Sequence, residues 1–139
     1  MNLKILFLED DLTLEPLWRS WVRRFSPGAE IFWAVSSEEG KTMVEQANLS
    51  GQPFQIIVAD IFLAGSQTGI DFLTSDLIRS SNARTVLVSM VCSQKVESYY
   101  RSLLPTTLFI SKPINLVKCE KLVSSFLNNE WRPGEISPV

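Results

Sequence analysis

Short hydrophobic runs suited to buried parallel strands recur at residues 5–8, 31–35, 55–59, 85–88 and 108–110. Between them the apolar positions return every three or four residues, the period of an amphipathic helix. In the first such segment Leu14, Leu17, Trp18, Trp21, Val22 and Phe25 form one stripe, with Arg19, Arg23 and Arg24 left for solvent. Pro16 fits if this helix begins near Thr13, because first-turn amides have no intrahelical acceptor; Pro27 and Gly28 stop it. Ser36 and Glu39 have capping-box spacing and open a second helix to about Ala47, followed by a polar loop over residues 48–53. The spacing predicts further helices over residues 69–80, 93–104 and 115–127, the middle one turning Val96, Tyr99, Tyr100, Leu103 and Leu104 inward. Five-fold strand–helix alternation predicts an α/β fold with a doubly wound, five-stranded parallel sheet, since right-handed crossovers place helices on both faces.

A chain of 139 residues that is 45% hydrophobic suits one domain with a real core and leaves no room for a second. The net charge of −2 gives no broad attraction to nucleic acid or to an anionic membrane. One basic cluster, residues 18–25 (WRSWVRRF), interleaves aromatics with arginines as single-strand binders do, but its helical spacing assigns the aromatics to a core. The chain has no histidine, which excludes imidazole as base, ligand or phosphoryl carrier. Cys92 and Cys119 lack CxxC spacing and read as small buried hydrophobes of a reducing compartment; a disulfide between them is left open. The N-terminus is no signal peptide and no run reaches membrane-spanning length, so a soluble, cytoplasmic protein without membrane partners is expected.

Chemistry collects where the apolar runs end. The first closes on Glu9, Asp10 and Asp11, the third on Asp60, the fourth on Ser89 and the fifth on Lys112 followed by Pro113. In an open parallel sheet these residues meet at the carboxyl ends of the strands, where such folds bind ligands. Acids so gathered raise one another's pKa unless a cation sits among them, and a hard cation such as Mg2+ suits an all-oxygen set. Each residue also has a plainer role: Asp60 or Asp11 as a helix cap, Ser89 as a turn residue, Lys112 as a solvated charge beside a turn-forming proline, Phe109 as core.

An acidic pair, a lone strand-end Asp, a strand-end Ser and a Lys-Pro, in this order and at these separations, resemble the response-regulator receiver family of the CheY type over residues 1–128. The resemblance implies strand order 2-1-3-4-5, with residues 129–139 as an irregular tail. It makes Asp60 the phosphoacceptor, a carboxylate nucleophile that forms an acyl phosphate. Asp10 would bind Mg2+ directly and Glu9 through water, with Asp60 and the backbone carbonyl of Phe62 completing the set. Lys112 would hold a phosphoryl oxygen and Ser89 would donate to the group once attached. Ser89 and Phe109 would form the switch, the ring rotating inward as Ser89 moves. The implied partners are a sensor histidine kinase or phosphotransfer protein as donor and a separate output protein, with homodimerisation allowed and no direct nucleic-acid binding. The implied role is a stand-alone receiver rather than a turnover enzyme.

Several positions depart from the family pattern. Met90 stands where Ala or Gly is usual and could roof the site, Phe109 replaces a frequent Tyr, Ala64 replaces a Pro, and the loop 64–69 is one residue longer. The two positions that in receivers flank the path of attacking water correspond to Phe62 and Val91, both apolar, so the resemblance implies a long-lived acyl phosphate. The competing function is an unphosphorylated pseudo-receiver that docks partners. A phosphatase of the haloacid dehalogenase type would carry a second Asp at the position of Phe62, and a dinucleotide enzyme would show GxGxxG after the first strand; neither is present.

Overall fold

The computed structural model describes residues 2–61, 68–90 and 94–135. Its elements run β1 (Lys4–Leu8), a 3-10 turn (Leu12–Leu14), α1 (Glu15–Phe25), β2 (Glu30–Ala34), α2 (Ser37–Leu49), β3 (Ile56–Asp60), α3 (Gly69–Leu73), α4 (Asp76–Arg79), β4 (Arg84–Ser89), α5 (Gln94–Leu103), β5 (Leu108–Ser111), α6 (Leu116–Leu127) and β6 (Gly134–Glu135). All strand pairs are parallel, and the five anticipated strands lie in the order 2-1-3-4-5.

Alternation along β1 sorts the core into two layers. Ile5 and Phe7 face α1 and α6 through Trp18, Val22, Cys119, Leu122 and Val123, while Leu6 and Leu8 face Val44, Ala47, Phe72 and Leu73 of α2 and α3. Trp18 and Trp33 both lie against Phe7, with ring centroids 4.9 and 5.4 Å away. The aromatics of the basic cluster are therefore largely spent on the core. Arg19 bonds Glu15 at 2.8 Å and the Ile31 carbonyl at 3.0 Å, so a base-stacking surface has little left to use.

Three details differ from the pattern, while Asp11 takes the capping role expected of it. The third helix is split, because the hydroxyls of Thr74 and Ser75 bond back to the carbonyls of Ile70 (2.8 Å) and Phe72 (2.7 Å), and Ser75 takes an extended conformation. Leu17, Leu103 and Tyr99, expected inward, are exposed, since each sits on the flank of its stripe beyond the reach of the sheet. Asp11 is a cap, its Oδ1 accepting from the Thr13 amide at 3.0 Å. The segment expected to be an irregular tail contributes β6, which pairs with β5 through Leu108↔Gly134 and Phe109↔Glu135.

That return is set by the end of α6. Asn129 adopts φ 54°, the Glu130 amide donates to the Ser125 carbonyl at 2.8 Å and the Asn129 amide to Phe126 at 3.2 Å, a left-handed C-terminal cap that reverses the chain. α2 ends the same way on Gly51, φ 77°.

Candidate functional site

Three of the residues expected at the strand ends meet in one buried cluster. Asp60 is the last residue of β3 and Glu9 follows β1 directly; both are buried. Lys112 follows β5, and its Nζ lies 2.6 Å from Asp60 Oδ2 and 3.1 Å from Glu9 Oε1. Backbone bonds hold the three ends in register: the Glu9 amide donates to Ala34, the Ile61 amide to Val88 and the Lys112 amide to Ser89, at 2.9, 3.0 and 2.8 Å. Ser89 stands half-buried at the end of β4, one residue beyond the partner of Asp60.

The electrostatics follow from this crowding. Burial, a hydrogen bond to the Asp60 carboxyl and the Asp60 charge push Glu9 up to about 7, against partial relief from Lys112 and the Asp11 amide. Burial alone would pull the Lys112 ammonium down, but the hydrogen bonds and charges of Asp60 and Glu9 outweigh it and the net shift is upward. Lys112 is thus held cationic between two carboxyls.

Asp10 lies exposed beside buried Glu9. Among the described residues no group of three acidic, histidine or cysteine side chains is gathered to hold a metal ion, since Lys112 rather than Asp10 stands between the two buried acids. The donor chemistry nonetheless suits a hard cation: oxygen donors only, two of them repelling carboxyls. Phe62, Ala64, Val91 and Cys92 lie outside the described residues. Met90 keeps 69% of its surface in solvent, so it is not folded down over Asp60. Phe109 is already buried at 5% exposure, so this conformation does not start from an outward ring. Cys119 is a free thiol, pushed up to about 12 by burial.

Two supporting residues escape a search for strand-end polar groups. Trp33 donates its indole N–H to the Glu9 carbonyl at 3.0 Å, clamping the residue from β2. Gly69 lies so close to β3 that a methyl there would run into the Asp60 carbonyl. An apolar β2 aromatic gave no polar signal, whereas a glycine opening a helix shortly after a strand-end Asp was a usable one.

The fold matches known structures. A response regulator of the LuxR family from Aurantimonas sp. SI85-9A1 aligns with TM-score 0.75 and 18% identity over 99% of this chain and 91% of its own. A CheY-like receiver domain from Methanospirillum hungatei JF-1 aligns with TM-score 0.70 and 20% identity over 94% and 98%. A chain of the CheX–CheY–BeF3–Mg2+ complex from Borrelia burgdorferi aligns with TM-score 0.73 and 20% identity over 90% and 89%. The chain has the CheY-like receiver fold. No protein-family model and no curated protein matches the sequence. Among the described residues no helix is long and apolar enough to cross a membrane.

Proposed function

We propose that this receiver-fold chain accepts a phosphoryl group on Asp60 from a phosphohistidine donor and signals by surface change to a separate protein. The observation that carries this reading is the Lys112 ammonium set against both Asp60 (2.6 Å) and Glu9 (3.1 Å) at the carboxyl ends of the sheet.

In this reading an Asp60 carboxylate oxygen forms the new P–O bond while the donor's P–N bond breaks, and the leaving imidazole takes up a proton. Lys112 holds a phosphoryl oxygen by charge, and Ser89 donates its hydroxyl to the group once attached. Glu9, Asp10, Asp60 and the Phe62 carbonyl would hold Mg2+, as the oxygen-only donor set favours. When bound, the ion neutralises charge on the phosphoryl oxygens. Phe109 starts buried, so the change transmitted through β5 is a repacking within the core rather than the burial of an exposed ring. Enzymatic turnover is not part of this role.

Incubation with acetyl phosphate and Mg2+, followed by intact mass, tests the proposal. A single phosphoryl adduct that is absent from Asp60→Asn supports it. An unmodified wild-type chain would leave the docking-module alternative.

A further inference from the structure

Lys118 is a lysine on the apolar side of α6, 4% exposed, in line with Cys119, Leu122 and Val123. Burying an ammonium is costly unless its donors are met. Here Nζ donates to the Ser111 carbonyl at 2.7 Å, the Pro113 carbonyl at 3.0 Å and the Ser111 hydroxyl at 3.3 Å. An ammonium has three donors, and all three are engaged.

The acceptors are the residues on either side of Lys112. With the Lys112 amide itself bonded to the Ser89 carbonyl at 2.8 Å, the backbone of this short turn is held at three consecutive positions. The Lys112 side chain leaves from that anchored point to reach Asp60 and Glu9. α6 is in turn fixed at its start by Asn115, whose Oδ1 accepts from the Lys118 amide at 2.9 Å.

We propose that Lys118 is a positioning residue for Lys112: by tying down both neighbouring backbone carbonyls it fixes where the Lys112 ammonium sits. Its consequence for phosphoryl transfer rests on the function proposed above; its effect on Lys112 does not.

Lys118→Met keeps the apolar stem and removes the donors. Reductive methylation, read peptide by peptide under native conditions, should modify Lys112 several-fold faster in this variant than in wild type. Unchanged Lys112 labelling in a folded variant overturns the proposal. With acetyl phosphate and Mg2+, the initial rate of adduct formation should fall about tenfold, the scale of a small misplacement of a reacting group. In a Lys112→Ala background Lys118→Met should cost nothing further, because the effect passes through the absent ammonium. An equal loss in both backgrounds marks a merely structural lysine and also overturns it. Lys118→Gln, which retains a polar end, takes the same measurements should Lys118→Met not fold. A wild-type chain that takes no phosphoryl group refutes the proposed function while the labelling result still decides the role of Lys118.

Discussion

At the residue scale the site stores unfavourable proximity. Glu9 holds its proton to about 7 in the folded chain against an ordinary value of 4.5, so between these values the folded state binds more protons than the unfolded one. Its contribution to stability is therefore fully present below 4.5 and is lost as pH rises through about 7. The upward shift of Lys112 begins from 10.5 and acts above this window. Urea midpoints in EDTA at about pH 5 and about pH 8 should fall with pH in wild type, and Glu9→Gln should remove part of that slope; identical slopes would contradict the assignment. Gly69 is constrained differently, since any side chain meets the Asp60 backbone. Gly69→Ala should cost about 1–3 kcal/mol in urea unfolding and reduce adduct formation at Asp60. Full adduct yield with unchanged stability would show that α3 moves away freely.

At the element scale, the left-handed position after α6 decides whether residues 130–135 return to β5. Asn129→Gly keeps φ 54° without steric cost and should stabilise by about 0.5 kcal/mol, whereas Asn129→Val should destabilise by about 1–2 kcal/mol. Equal midpoints for the two variants would mean that the cap does not hold in solution. Most of the five strands were legible because a strand buried on both faces is continuously apolar, and the meeting of Glu9, Asp60 and Lys112 was legible because four of the five runs end on polar residues that solvation alone does not require. The break between α3 and α4 depends on Thr74 and Ser75 choosing carbonyls over solvent, which periodicity does not encode. Leu17, Tyr99 and Leu103 were misplaced because a stripe gives a helix face but not how far the sheet reaches across it. β6 had no pattern of its own; it exists because the turn at Asn129 aims it at β5. Lys118 did leave a trace, a charge four residues before Leu122 on the buried stripe, but such a lysine reads equally as a solvated flank.

For the molecule as a whole, β1, β3 and β5 are joined at their carboxyl ends by one lysine bridging two acids. A divalent cation taken up there replaces repulsion between carboxyls with attraction, and because the strands come from distant parts of the chain, only the folded state offers the set. Such a ligand stabilises by mass action, about 2.7 kcal/mol when present at about 100-fold above its dissociation constant. Millimolar Mg2+ should therefore raise the melting temperature, and Asp10→Asn should weaken the rise although Asp10 is exposed in the present arrangement. The same titration should register in tryptophan fluorescence, since the Trp33 indole bonds the Glu9 carbonyl at 3.0 Å. Trp33→Phe should lose that signal while keeping the thermal shift. A melting temperature that does not respond to Mg2+ in wild type would mean that Lys112 permanently fills the role of counter-charge, and the chain would then be a docking module with a receiver's architecture.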